Sequence, residues 1–325
     1  MRIGNRLDNY VLLDKLGEGG FGEVWRAEDR EHPGGFVAVK VSARPDAAAS
    51  LGREGSMQRS LQHPNIVRTL ESRLEHDPPY LVNEWVQGES LRERLGRVRR
   101  MWPAEALRVL REVLHALLAA HQAGLVHRDV KPANVLLGHQ GDVKLADFGL
   151  GRAGAGAAAS VALSRGASLS AGGGAVGTFL YMSPEQLDGM AGDPRSDIYS
   201  CGVMLYETLT GVAHPVRLPV AGVPPGLSGV IDRALSIDPD RRFQSASEML
   251  AALDGAEQQP ETELLYVQAR RPAPRKGLVA WTVFAVAAMV LFYVVVGVLT
   301  FRDARIGKSD ERRPTSWSPQ SDGGH

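Results

Sequence analysis

The chain predicts an α+β domain over residues 10–254, followed by one membrane-spanning helix over 278–300. Three observations carry this. Strand-like and helix-like segments alternate without long gaps from Tyr10 to Asp254. Inside that region, glycine-, lysine- and aspartate-bearing motifs follow one another in a fixed order. Beyond it, the run Leu278–Thr300 has no charged residue and is dominated by Val, Ala, Leu and Phe.

The first element is an apolar strand, Tyr10-Val11-Leu12-Leu13. It leads into Leu16-Gly17-Glu18-Gly19-Gly20-Phe21-Gly22-Glu23-Val24. Glycine lets a backbone approach phosphate oxygens closely and adopt positive φ. A glycine pattern of this kind also opens dinucleotide-binding folds, where a helix follows it. Here Val24-Trp25-Arg26-Ala27 is strand-like, and Phe36-Val37-Ala38-Val39-Lys40 is a second strand ending in lysine. Two strands joined by a glycine turn favour a hairpin that covers phosphates.

A lysine at a strand end is by itself an ordinary solvated charge. Beside a glycine loop, Lys40 is expected to contact the α- and β-phosphates of a nucleotide and to need a carboxylate partner. Leu51, Glu54, Gln58 and Leu61 share one helical face by their spacing, so Glu54 is the expected partner. Gly52 and Gly55 flank it, each costing roughly 1 kcal/mol against alanine in a helix. The expectation is a marginal helix that replacement of both glycines by alanine would strengthen, with a rise in basal activity.

A helical stretch runs from Glu105 to Gln122, with His115 and His121 as ordinary helix residues. Next comes His127-Arg128-Asp129-Val130-Lys131-Pro132-Ala133-Asn134, then Asp147-Phe148-Gly149. This places an acid, a lysine, an amide and a second acid at spacings that suit ATP-dependent phosphoryl transfer. Asp129 can take a proton from an attacking hydroxyl. Asn134 and Asp147 offer the hard oxygen ligands that Mg²⁺ prefers. His127 is expected to support the loop rather than react.

Gly151–Gly177 consists mainly of Gly, Ala and Ser, too few large apolar groups to offset ordering entropy. A long loop inside a compact domain is usually functional or mobile. Ser160, Ser164, Ser168 and Ser170 are its candidate phosphorylation sites. The single cysteine, Cys201, excludes an intramolecular disulfide framework and is expected to be buried. A formal net charge of zero gives no global field for nucleic acid.

Residues 255–277 are polar with several prolines and are expected to be a juxtamembrane linker. As a helix, 278–300 extends about 34 Å, enough to cross a hydrocarbon core of roughly 30 Å. Trp281 and Tyr293 are candidate interface residues. Arg270, Arg271, Arg275 and Lys276 precede the run, and Arg302, Arg305, Lys308, Arg312 and Arg313 follow it, so charge does not orient it. The need for ATP places the domain on the cytosolic side. Residues 301–325 are expected to form a short disordered tail.

Together these residues resemble the eukaryotic-type (Hanks-type) serine/threonine protein kinases, and among them the bacterial membrane-anchored receptor kinases. The resemblance covers about 10–254. It implies a bilobal protein-kinase fold, a β-rich N-lobe and a helical C-lobe, with ATP and Mg²⁺ between them. It implies that Asp129, Lys131, Asn134, Lys40 and Glu54 carry catalysis. Leu16 to Val24, Lys40, and the hinge residues Glu84 and Val86 would bind the nucleotide, and Asn134 and Asp147 the metal. It further implies that Lys131 steadies the γ-phosphate and that Thr178 bonds to Asp129 and Lys131. Glu185 of Ser183-Pro184-Glu185 would pair with Arg242, Asp197 would hold the catalytic loop from beneath, and Arg128 would receive a phosphate on the 151–177 loop. His63-Pro64-Asn65-Ile66-Val67 is similar to the segment after the family's glutamate helix. The implied partners are protein substrates and a second copy of the chain acting in trans, in the cell membrane.

Three departures stand out. Asn83 occupies a position the family usually gives to a larger apolar residue. The stretch from Lys40 to Glu54 is short. Between Thr210 and Leu227 there is little room for the helix that often docks substrates. A catalytically inert scaffold and a small-molecule phosphotransferase remain the competing classes.

Overall fold

The computed structural model describes residues 1–19, 22–42, 51–52, 55, 59, 61–148, 179–213 and 223–257. The chain divides at residues 264 and 265, and all the described residues belong to the first part.

Six strands form one antiparallel sheet: β1 (Arg6–Leu7), β2 (Tyr10–Gly19), β3 (Gly22–Asp29), β4 (Gly35–Ser42), β5 (Thr69–Arg73) and β6 (Tyr80–Glu84). Their order is β1-β2-β3-β4-β6-β5. Residue alternation splits this sheet into two faces. Leu12, Trp25, Ala27, Val37, Val39, Val41, Tyr80 and Val82 pack together on one face. Ala38 and Lys40 on β4 lie opposite Asn83 and Leu81 on β6, on the other face. The glycine loop is a hairpin: β2 and β3 are antiparallel, with Gly19 opposite Gly22. The expected hairpin is therefore the observed geometry, and the strand–turn–helix of a dinucleotide-binding fold is excluded.

The second half is helical. A short sheet, β7 (Gly88–Ser90), β8 (Val135–Gly138) and β9 (Val143–Leu145), lies beside α1 (Leu91–Val98) and α2 (Pro103–Gln122). After these come α3 (Pro184–Leu187), α4 (Pro194–Thr210), α5 (Pro225–Ala234) and α6 (Ala246–Glu257). α2 buries Ala106, Leu107, Val109, Leu110, Val113, Leu114, Leu117 and Ala120, a wide apolar stripe at helical spacing. α4 is buried almost all round, so it forms the centre of this lobe. Its ends are well specified, with an Asp193 capping box and Gly211 at φ 80°. Cys201 lies on α4, fully buried, and burial pushes its thiol up, so it is a packing residue.

The positions around Glu54 correct one expectation. Residues 51, 52 and 55 are helical and buried. A β-carbon at Gly55 would lie 2.7 Å from Cδ2 of Leu81, and one at Gly52 would lie 2.6 Å from Cδ1 of Leu74. These glycines let the helix approach the sheet, which propensity alone does not reveal. Leu81 is fully buried, so moving it disturbs packed neighbours, whereas Leu74 is only half-buried. Alanine at Gly55 is thus a steric insertion, not a helix-strengthening change.

Among the described residues, no helix is long and apolar enough to cross a membrane. The run 278–300, most of the linker and the tail lie outside them, as do the 151–177 loop with its four serines, Thr178, Gly149, Glu54, Gly20 and Phe21.

Candidate active site

The cleft between the two lobes is built from four segments. The β2–β3 hairpin supplies Leu16, Gly17, Glu18, Gly19, Gly22, Glu23 and Val24. Lys15 braces it, its Nζ donating to Glu18 at 2.6 Å and Glu23 at 2.7 Å. Glu23 is held down to about 2, mainly by Lys15 and the chain's terminal amine.

β4 supplies Lys40, which is buried and donates to Oδ1 of Asp147 at 2.8 Å. Burial alone would raise the Asp147 carboxyl, but the adjacent Lys40 charge overrides this and holds it below the usual range. Asp147 adopts φ 56°, a left-handed backbone that is uncommon for a residue with a β-carbon. That conformation follows from its neighbours: Ala146 N–H donates to the Asn134 carbonyl at 2.8 Å, and the His127 ring bonds the Ala146 carbonyl at 3.0 Å. His127 is fully buried and tilted against Phe148, with centroids 4.6 Å apart, so it has the supporting role expected of it.

The catalytic loop closes on itself. Lys131 Nζ donates to Asp129 Oδ2 at 2.8 Å. Asn134 donates to the Asp129 carbonyl at 2.8 Å and to Oδ2 at 3.2 Å. Both amide hydrogens of Asn134 are thereby committed, which leaves its amide oxygen to meet a cation. Asn134 and ionised Asp147 form a two-oxygen donor set, which fits Mg²⁺ because that ion keeps waters and phosphate oxygens as its other ligands. Among the described residues, no group of three or more His, Cys, Asp or Glu is arranged for a metal, so a zinc-type site is not offered there.

Asp197 holds this loop from beneath, as expected. Its Oδ1 accepts from Arg128 N–H at 2.7 Å, and its Oδ2 accepts from His127 N–H at 2.9 Å. His121 of α2 adds a third bond to Oδ2 at 2.8 Å. Sequence gave no signal for that contact, because 76 residues separate the two. Arg128 carries φ 65°, and its carbonyl accepts from Gln186 at 3.0 Å.

The hinge is fixed by charge. Glu84 accepts from Arg68 N–H at 2.8 Å and from Lys144 at 2.9 Å, and Trp85 packs edge-on to Phe36. Val86 follows in the connecting segment to β7. The His63–Val67 segment ties the small lobe to β9: Leu145 N–H donates to the Asn65 carbonyl at 2.7 Å, and Val67 N–H to the Leu145 carbonyl at 3.0 Å. Asn83 is buried on β6, and its amide oxygen accepts from the Thr69 hydroxyl at 2.8 Å. The Thr69 partner is another contact that sequence did not announce.

Glu185 and Arg242 form the expected pair, two bonds of 2.8 Å each. Burial would raise Glu185, yet Arg242 and Ser196 bring it down to about 2. Arg92 bridges Glu207 and the Tyr181 hydroxyl, which links α1 to α4 and to the segment before α3.

A glycine hairpin, a lysine–aspartate pair and a self-bonded Asp-Lys-Asn loop are the parts expected of a nucleotide-dependent phosphotransferase. A scan against protein-family models matches the protein kinase domain over residues 10–217. A probable serine/threonine-protein kinase of Streptomyces coelicolor is 36% identical over 291 residues, covering 78% of this chain and 41% of that protein. Serine/threonine-protein kinase PknB of Mycobacterium tuberculosis is 36% identical, covering 76% and 42%. Serine/threonine-protein kinase PrkC of Bacillus subtilis is 33% identical, covering 79% and 42%. The chain spans about two fifths of the length of these relatives. It belongs to the protein kinase family, in the eukaryotic-type serine/threonine branch.

Proposed function

We propose that this chain is an ATP-dependent serine/threonine protein kinase, organised as a kinase domain over 10–254, a linker over 255–277, a membrane span over 278–300 and a tail over 301–325. In this reading it phosphorylates protein substrates and a second copy of itself in trans, with the kinase domain in the cytoplasm. The observation that carries the activity is the juxtaposition of the Lys40–Asp147 pair with the Asp129–Lys131–Asn134 cluster. The uncharged run Leu278–Thr300 supports the anchor.

The work of these residues is positioning and charge compensation. The glycine hairpin covers the triphosphate, and Lys40 turns from Asp147 toward the α- and β-phosphates. Glu54 is the carboxylate assigned to hold it. Asp147 and Asn134 would hold Mg²⁺, which would offset charge on the phosphate oxygens. Asp129 accepts a hydrogen bond from the serine or threonine hydroxyl and takes its proton as the new oxygen–phosphorus bond forms and the bond from the γ-phosphorus to the ADP leaving group breaks. Lys131, anchored on Asp129, neutralises the transferring group. Backbone groups of Glu84 and Val86 hold adenine. A phosphate on the 151–177 loop pairs with Arg128 and orders the loop. Holding two copies in one bilayer raises their effective concentration and favours the trans reaction.

Product analysis after incubation with ATP and Mg²⁺ tests this. Phosphoserine or phosphothreonine on protein is expected. Label found only on a small molecule, or ATP bound without any transfer, contradicts it.

A further inference from the structure

The exit of α1 carries an unusual surface. Between Leu91 and Arg100 there are five arginines and one glutamate. Arg92 is spent on Glu207, Arg94 on Glu105 and Glu89, and Arg97 on Glu89. Arg99 and Arg100 are exposed and have no acidic partner among the described residues. Two positions on, Trp102 is 82% exposed. Val212, 50% exposed, belongs to the same corner: Met101 N–H donates to the Thr208 carbonyl at 2.7 Å, and a β-carbon at Gly211 would lie 2.9 Å from the Arg99 carbonyl. The sequence that follows, 213–224, contains no acidic residue and brings no counter-charge.

Two of these residues stand where stability favours others. Arg99 caps α1 at φ 67°, a conformation that suits glycine. Trp102 is the N-cap of α2 and makes no capping bond, where serine or threonine would. Both choices give up local stability and place a cation and a large aromatic ring in water.

We propose that this corner, Arg99, Arg100, Trp102 and Val212, docks on anionic lipid headgroups of the bilayer that tethers the domain. The proposal rests on the reading of 278–300 as a span. Guanidinium groups bind phosphate bidentately, and indole rings settle at the headgroup level. Twenty residues separate Glu257 from Leu278, at most about 70 Å when extended, which bounds how far the domain can stray from a bilayer that holds 278–300. An exposed ring two positions past a pair of uncompensated arginines suits a headgroup layer better than a protein pocket.

The test uses the full chain reconstituted in vesicles of phosphatidylcholine, or of phosphatidylcholine and phosphatidylserine three to one. Hydrogen exchange is read over residues 97–102. Exchange should slow only with phosphatidylserine, and the protection should vanish at high salt, where screening is short-ranged. Arg99→Gly with Arg100→Gln should lower the docked-to-free ratio about thirtyfold. These changes and Trp102→Ser should remove docking, leave the melting temperature unchanged or higher, and leave transfer in neutral vesicles unaltered. Equal exchange in both lipids, with a chain that resists alkaline carbonate extraction, overturns the docking proposal alone. A chain that carbonate extracts overturns the span reading, and docking is then decided by sedimentation of that chain with preformed phosphatidylserine vesicles. Protection by polyglutamate but not by phosphatidylserine assigns the corner to an acidic protein and overturns the lipid proposal.

Discussion

At the residue scale, the helical lobe depends on groups whose cost is met by neighbours. Glu185 is the clearest case. Its carboxyl is held near about 2 against an ordinary value of 4.5. A depressed folded-state value stabilises the native protein above the unfolded value, and that contribution is lost as pH falls from about 4.5 toward 2. The contribution is on the order of 3 kcal/mol at neutral pH. Arg242→Ala should destabilise the domain by about 3–5 kcal/mol, because it leaves Glu185 partly buried without its cation. It should also flatten the acid limb of the stability curve, and urea titrations between neutral and acid pH check both. An unchanged acid limb would show that Glu185 does not govern it. A second residue-scale prediction concerns the buried bond between β5 and β6. Thr69→Val removes the donor to Asn83 and should cost about 1–3 kcal/mol in the same assay. Lys40, Asp129, Asn134 and Asp147 were legible in the sequence because their chemistry sits in short local patterns. Thr69 with Asn83, and His121 with Asp197, were not, since each bond joins residues brought together only by the fold.

At the element scale, the glycine hairpin was legible because two strand-like runs flank the loop, a pattern a helix-opening turn does not give. The purpose of Gly52 and Gly55 was not. Helix propensity sees only their backbone entropy, whereas the close approach to Leu74 and Leu81 requires the sheet to be in place. Gly55→Ala should therefore lower both the melting temperature and the activity, and Gly52→Ala should be milder because Leu74 can swing outward. A gain of activity in Gly55→Ala, read by phosphate transfer, would restore the marginal-helix view. At the start of α2, Trp102→Ser supplies the missing cap and should stabilise the domain by about 1 kcal/mol in denaturant titration. A loss of stability there would mean that the tryptophan is a packing residue.

At the scale of the whole molecule, the described lobe extends past the family match, which ends at residue 217. Arg242 and Asp254 lie beyond it, yet they pair with Glu185 and Arg111. α5 and α6 thus complete the lobe, and among the described residues α4 leads to α5 with no helix between them. The bilobal plan was legible from motif order, because each motif belongs to one lobe. How the lobes are stitched was not, because the ties run through backbone carbonyls of Asn65 and Leu145, which carry no sequence signature. The central claim is that Asp129 takes the proton from the acceptor hydroxyl in a cleft assembled by Lys40, Asp147 and Asn134. The most direct test is transfer of labelled γ-phosphate by the full chain with Mg²⁺, beside Asp129→Asn, with nucleotide binding measured on both. Transfer to serine or threonine in the parent, reduced about a hundredfold or more in the variant while ATP still binds, is the expected result. Equal transfer by both proteins would contradict the account, and so would ATP binding by the parent with no transfer at all.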